Sequence, residues 1–185
     1  HPGIVRVHSA GDVDGSPYLA CQLVEGARTL DAVVPGLDLR RRVELIRDAA
    51  RALGHAHARG VVHRDVKPSN LLVDAAGALR VADFGLATGR DVERLTASGS
   101  FLGTPGYTPP ELMSVTAERV GPRADVWALG VVLYEVLTGV LPFPVTSLQS
   151  YIQLVRADAP PRPSEHAPTV SPALDAICLR ALARN

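Results

Sequence analysis

The sequence predicts an α+β fold in which short strands come first and a mostly helical part follows. Two apolar runs near the start of the chain flank a turn that is rich in glycine and aspartate, which is typical of a β-hairpin. Further on, apolar residues recur at intervals of three and four, the period of an amphipathic helix. A third stretch, VWALGVVLY at 126–134, is apolar almost throughout and predicts a buried helix.

The first half of the chain contains the predicted hairpin and the first long helix. Ile4, Val5 and Val7 predict one strand, 11–15 predicts the turn and 18–24 predicts the second strand. A helix is predicted from 39 to 59, and Gly60 is its stop signal. The predicted apolar face of this helix consists of Val43, Ile46, Ala50, Leu53 and His57.

The second half begins with two short strands and continues with helices. The strands are predicted at 71–73 and 79–82, with a turn at 74–77 between them. The apolar helix is predicted from Asp125 to Thr138, where Gly139 ends it. A short helix is predicted at 149–155. Ser171 followed by Pro172 is a typical helix start, and this last helix is predicted to reach Asn185.

The composition excludes some classes of function. The chain has 19 Lys and Arg against 19 Asp and Glu, so a zero net charge argues against a nucleic-acid-binding protein. No apolar run approaches the roughly 20 residues that span a bilayer. Cys21 and Cys178 lie in apolar contexts and are both predicted to be buried thiols in a reducing compartment, the cytoplasm. The first residue is His1 rather than methionine, so we expect a fragment of a longer protein.

Four motifs carry the chemistry: HRDVKPSN (63–70), DFG (83–85), GTPGYTPPE (103–111) and DVWALG (125–130). Each is a weak pattern alone, but in this order and spacing they resemble the protein kinase family over essentially the whole chain. The D-x-K-P-x-N pattern resembles the serine/threonine-directed members. The alanine, arginine and valine bias and the short loops resemble the bacterial, Hanks-type members.

The resemblance implies a protein-kinase-like fold cut at both ends. Residues 1–24 would be a hairpin remnant of the small lobe and the start of the hinge, and 25–185 would be the helical large lobe. The glycine-rich phosphate loop and the lysine that anchors ATP would precede His1. We therefore expect the 185-residue chain by itself to be weakly active or inactive and a longer parent to be active. A membrane tether would lie outside this chain.

Three residues are the catalytic candidates that the resemblance implies. Asp65 would orient the attacking hydroxyl and accept its proton, and Lys67, two residues on, would contact the γ-phosphate from the same side. Thr104 would bridge these two. The simpler alternatives are a turn-capping aspartate for Asp65 and a solvated lysine for Lys67.

The implied cofactors are ATP and Mg²⁺. Asn70 and Asp83 would supply the oxygen ligands that Mg²⁺ prefers. Backbone groups of Gln22 and Val24 would bind the adenine edge, and Leu72 would lie beneath the ring. Plain turn roles for Asn70 and Asp83, and a plain core role for Leu72, remain the alternatives.

Other residues would support this site by resemblance. His63 and Phe84 would stack with Val7 in a packing column. Asp125 would accept hydrogen bonds from the backbone around residue 65; the simpler alternative is that it caps its helix, and the two roles are compatible. Arg64 would meet a phosphate on the segment 85–111. The candidate phosphorylation sites are Thr96, Ser98 and Ser100, and Glu111 is expected to lack an arginine partner.

Three functions are compatible with the sequence. The first is an ATP-dependent kinase that acts on serine and threonine of a protein substrate. The second is a non-catalytic, pseudokinase-like binding module, against which the intact Asp65, Lys67, Asn70 and Asp83 argue. The third is a small-molecule kinase, whose members usually lack the GTPGY…PE docking segment.

Overall fold

A computed structural model describes residues 1–84, 105–109, 121–157 and 159–184. The first element is an antiparallel hairpin of β1 (Val7–Val13) and β2 (Ser16–Cys21). Asp14 and Gly15 form its turn with φ of 53° and 79°, a pair of positive values typical of a two-residue hairpin turn. The hairpin is thus confirmed, but its first strand runs into the predicted turn as far as Val13, and its second strand spans Ser16–Cys21 rather than 18–24. Most hairpin side chains are exposed, so hydrophobic pattern alone did not mark where the strands meet.

The second sheet has three short antiparallel strands in the order β3, β4, β5. They are Arg28–Thr29, Leu71–Val73 and Leu79–Val81. The N-terminal segment joins this sheet, because Val5 N–H donates to Val81 O at 2.9 Å and Val81 N–H donates to Gly3 O at 2.8 Å. Ile4 and Val5 therefore pair with β5 and not with the hairpin strand that the sequence predicted.

The predicted helices are present with shifted ends, and the described residues form two short helices that the sequence did not predict. They are α1 (Leu30–Val33), α2 (Leu39–His57), α3 (Pro122–Thr138), α4 (Leu148–Ala157), α5 (Pro163–His166) and α6 (Pro172–Ala181). Single 3₁₀ turns occupy Val34–Gly36, Pro68–Asn70 and Pro105–Tyr107.

Helix ends agree with the local signals. The Asp38 side chain caps α2, Gly60 follows it with φ 74°, and Gly139 ends α3 with φ 79°. Ser171 caps α6 as predicted. However, α6 ends at Ala181 and not at residue 185, because Leu182 leaves helical geometry and packs its buried side chain beside Gly130.

The core is built around α3, which is buried on almost every side. The side chains of Val131, Val132 and Tyr134 are inaccessible to solvent. Helices α2 and α6 pack on α3 from two directions. This arrangement confirms the buried helix that the apolar run predicted.

The predicted apolar face of α2 is only partly correct. The side chains that this helix buries are Leu45, Ile46, Ala49, Ala52, Leu53 and Ala56. Val43 and Ala50, from the predicted face, line a shallow groove between α2, α3 and α6 instead. The buried face is rotated because α2 packs on β5 as well as on α3.

The two cysteines differ in their environment. Cys178 is buried in α6, as predicted, but Cys21 is exposed, because it belongs to a hairpin whose side chains are almost all exposed. Both are free thiols. Among the described residues, no helix has the length and apolar character required to cross a bilayer.

Candidate active site

Asp125 of α3 organises the loop between α2 and β4. Its carboxylate is 1% exposed and accepts the backbone N–H groups of His63 at 2.8 Å and Arg64 at 2.7 Å. His57 of α2 places Nε2 2.7 Å from the same carboxylate. Three donors satisfy a charge that would otherwise be costly to bury. The predicted role of Asp125 toward this loop is confirmed, and the capping alternative is wrong, since Gly121 precedes the helix.

His63 links this loop to the segment after β5. Asp65 N–H donates to its Nδ1 at 3.2 Å, so Nε2 carries the proton that is donated to Ala82 O at 2.7 Å. The ring of His63 lies 4.6 Å, centroid to centroid, from that of Phe84. The packing pair is therefore confirmed. Val7, the third predicted member, is half exposed and lines the same cavity as Phe84.

Asp65, Lys67 and Asn70 converge in one cluster. Lys67 Nζ lies 2.8 Å from Asp65 Oδ2, and both side chains are partly exposed. Asn70 Nδ2 donates to the main-chain oxygen of Asp65 at 2.8 Å and to its Oδ2 at 3.0 Å. The ammonium group of Lys67 and the amide of Asn70 thus both contact the same carboxylate oxygen of Asp65, so the three side chains meet as the motif predicted.

The orientation of Asn70 determines which of its atoms can bind a cation. Because Nδ2 faces Asp65, the atom left for a ligand is Oδ1. Ala82 N–H donates to Asn70 O at 2.9 Å. This backbone hydrogen bond brings Asp83, the residue after Ala82, close to Asn70. An amide oxygen and a carboxylate are hard ligands that fit Mg²⁺. Within the described residues, no group of three or more His, Cys, Asp or Glu is suited to hold a metal ion.

Two residues of this region have strained backbones. Arg64 has φ 69° and Asp83 has φ 60°, in the left-handed region that non-glycine residues rarely adopt. Each such residue costs on the order of 1–3 kcal/mol and persists only when its surroundings fix it. Asp125 fixes Arg64 through its N–H, and the bonds that Ala82 makes to His63 and Asn70 fix the chain before Asp83. Such strain is concentrated at functional sites.

A cavity of about 550 Å³ lies between the hairpin and the chain after β5. Its walls include Cys21 and Gln22 on one side and Asp83 and Phe84 on the other. Gln22 N–H is used, since it donates to Arg6 O at 2.7 Å. The backbone carbonyl of Gln22 is therefore the group that would have to make the predicted contact to the adenine edge.

The residues that line this cavity do not include four of the predicted nucleotide contacts: Val24, Lys67, Asn70 and Leu72. Val24 lines a separate, more open depression beside Asp74. Leu72 is half-buried on β4, opposite Thr29 and Arg80. The roles of Val24 and Leu72 toward adenine stay predictions.

The docking segment is described only in part. Thr104, Glu111, the three candidate phosphorylation sites and the remainder of 85–104 lie outside the described residues. Within 105–109, Tyr107 donates its hydroxyl to Glu135 Oε2 at 2.6 Å. Burial raises the pKa of Tyr107 and the Glu135 carboxylate raises it further, so this hydroxyl remains a donor.

Sequence reasoning missed three functional contacts. His57 was assigned to an apolar helix face, but it binds Asp125, and Glu135 and Tyr151 were seen only as parts of helices. The sequence offered one indication of these contacts, which is that polar side chains occur within otherwise apolar helical stretches. Such a signal does not name the partner, because 68 residues separate His57 from Asp125.

Comparison with known proteins agrees with this geometry. The family model described as "Protein kinase domain" matches residues 1–184. The chain therefore belongs to the protein kinase family. It is 39% identical to serine/threonine-protein kinase PknB of Mycobacterium leprae and 40% identical to PknB of Mycolicibacterium smegmatis, and it is 38% identical to PknD of Mycobacterium tuberculosis. Each match covers 100% of this chain but only 28–31% of the relative, so the chain spans less than a third of these proteins.

Proposed function

We propose that the chain forms the catalytic part of a serine/threonine protein kinase that transfers the γ-phosphate of ATP to a protein hydroxyl. The observation that carries the proposal is the cluster of Asp65, Lys67 and Asn70. Asp125 fixes the backbone that leads into this cluster, at His63 and Arg64. The names of the PknB and PknD relatives support the serine/threonine class. The free thiols of Cys21 and Cys178 support a reducing compartment, for which we propose the cytoplasm.

Asp65 would act on the substrate hydroxyl. With Lys67 and Asn70 both on Oδ2, its other oxygen, Oδ1, is the one that can orient a serine or threonine hydroxyl and accept its proton. An aspartate has a reference pKa of about 3.9 and is a weak base, so positioning comes before proton transfer. Lys67 would place a positive charge beside the phosphoryl oxygens where negative charge develops.

Asn70 Oδ1 and the Asp83 carboxylate would hold a magnesium ion against the nucleotide. Bound Mg²⁺ neutralises phosphate charge during phosphoryl transfer. The partly exposed position of Asp65 and Lys67 leaves this side of the cluster open to a substrate.

The proposal is tested in the natural polypeptide that carries these residues, with ATP, Mg²⁺ and a serine/threonine peptide array. We expect Asp65→Asn to lower transfer by about 10²- to 10⁴-fold, since orientation and proton acceptance are lost. Circular dichroism and the unfolding midpoint should stay close to those of the wild type. EDTA should abolish transfer in the wild type.

Two outcomes would contradict the proposal. Transfer that survives Asp65→Asn would remove this residue from the reaction. Wild-type protein that binds nucleotide but transfers nothing to any peptide would favour the non-catalytic binding module.

A further inference from the structure

Tyr151 joins helix α4 to the docking segment. Its side chain is inaccessible to solvent, and its hydroxyl lies 3.0 Å from Gly106 O and 3.2 Å from Thr108 O. A tyrosine hydroxyl has a single proton, so the two carbonyl oxygens share one donor. Both acceptors belong to the same five-residue stretch, 105–109.

The same stretch is fixed at two other points. Tyr107 donates to Glu135 of α3, as described above. Gly106 packs so closely that a Cβ at this position would lie 2.8 Å from Leu141 Cδ1. The backbone at 106–108 is thus held by α3, by the loop after α3 and by α4. The contact to α4 acts directly on its carbonyl groups.

We propose that Tyr151 is a positioning residue for the protein substrate. By holding the carbonyls of Gly106 and Thr108, it fixes the backbone of the docking segment against which a serine- or threonine-containing peptide would lie. The inference rests on the proposed function. The side chain of Tyr151 is inaccessible to solvent, so an effect on a substrate would have to pass through this segment.

The arrangement predicts a selective kinetic effect. Loss of the hydroxyl loosens the surface for the peptide but leaves Asp65, Lys67 and Asn70 in place, since their contacts run through Asp125 and not through α4. The KM for the peptide should therefore rise, while the KM for ATP stays constant.

Tyr134 offers a matched control. It is another tyrosine with an inaccessible side chain, and its hydroxyl has no hydrogen-bond partner among the residues that the structure describes. Tyr134→Phe and Tyr151→Phe remove the same atom from the same kind of environment. Only the second removes a contact to the docking segment.

The first measurement is hydrogen exchange in the 185-residue chain itself, which needs no enzymatic activity. In Tyr151→Phe we expect the amides of Gly106, Tyr107 and Thr108 to exchange about 2- to 10-fold faster, the range that one lost hydrogen bond allows. Tyr134→Phe should leave them unchanged. Equal exchange in both variants would overturn the positioning role.

The second measurement is the kinetics of the natural polypeptide that carries the chain. We expect Tyr151→Phe to raise the peptide KM about 2- to 10-fold with the ATP KM unchanged. Faster exchange together with an unchanged peptide KM would reduce Tyr151 to a purely structural residue and overturn the inference. If the wild type transfers no phosphate, the proposed function fails, and the inference that rests on it falls as well. The exchange experiment then still decides whether Tyr151 fixes the segment.

Discussion

Asp125 shows how one buried carboxylate can define a site to which it contributes no reacting atom. It accepts hydrogen bonds from two successive backbone N–H groups of the loop between α2 and β4 and from the ring of His57. The N–H contacts hold Arg64 in its left-handed conformation, and that conformation sets the direction in which Asp65 leaves the backbone. Asp65 thus depends on a charge from α3, an element far along the chain.

We predict that Asp125→Asn destabilises the chain by about 1–3 kcal/mol. Asparagine keeps one acceptor oxygen but directs an N–H₂ group at donors, which leaves buried groups unpaired. Urea denaturation measures the loss. Phosphate transfer by the natural polypeptide should fall with it.

Asp175→Asn is the control for this change. Asp175 is also buried, but its carboxylate accepts the N–H and the Oγ–H of Ser164 rather than groups of the loop between α2 and β4. We expect a similar loss of stability and no change in transfer once both proteins are folded. Equal effects on transfer would show that Asp125 acts only through global stability.

At this scale, the sequence predicted what is local. Asp65, Lys67 and Asn70 lie within six positions, and a turn of that length leaves few arrangements, so their convergence followed from the motif. The pairing of His57 with Asp125, and of Tyr151 with Gly106 and Thr108, depends on how helices pack. No local pattern encodes such packing.

Among the elements, helices α3 and α6 pack closely against each other at Gly130. A Cβ on Gly130 would lie 2.8 Å from Ala181 Cβ and 3.2 Å from Leu182 Cδ2. Cys178 Sγ also approaches Gly130 O, at 3.6 Å. The two helices can come this close because residue 130 has no side chain.

We predict that Gly130→Ala destabilises the chain by about 1–3 kcal/mol, since the added methyl group forces the helices apart in a packed core. Gly54→Ala in α2 is the matched control, because a Cβ there meets nothing within 4 Å. Higher helix propensity should stabilise that variant by about 0.5–1 kcal/mol. We expect the urea midpoint to fall in Gly130→Ala and to rise in Gly54→Ala. An unchanged midpoint in Gly130→Ala would contradict the close contact between the helices.

Element identity was more predictable than element ends and faces. Gly60, Gly139 and Ser171 marked their helix ends correctly, because caps are local backbone events. The face of α2 was partly wrong, since this helix packs on a sheet and on another helix at once. The hairpin limits were wrong because exposed strands carry little hydrophobic signal.

For the molecule as a whole, the core makes stability sensitive to alkaline pH. Burial raises the pKa of Tyr134 to about 12 and that of the Cys178 thiol to about 12, from 10.0 and 9.0. Both groups must be neutral in the fold but ionise freely in the unfolded chain. The stability that the fold gains from keeping these two groups neutral is therefore fully present below pH 9. It is lost as the pH rises toward about 12.

We predict that the free energy of unfolding falls steadily between pH 9 and 12, and that Cys178→Ala makes this fall shallower. Denaturant titrations at several pH values measure the slope, which is separate from the lower stability expected at every pH after a core truncation. Cys21→Ala, which removes the exposed thiol, should leave the slope unchanged. An unaltered slope in Cys178→Ala would show that this thiol ionises without unfolding.

The bond from Asp125 to His63 also has a consequence for biosynthesis. The two residues are 62 positions apart, and chains are made from the N-terminus. Asp65, Lys67 and Asn70 therefore leave the ribosome well before the carboxylate that fixes their loop. During that interval a nascent chain lacks the contacts that fix this loop, so the proposed phosphate transfer would have to wait until α3 has been synthesised and has docked.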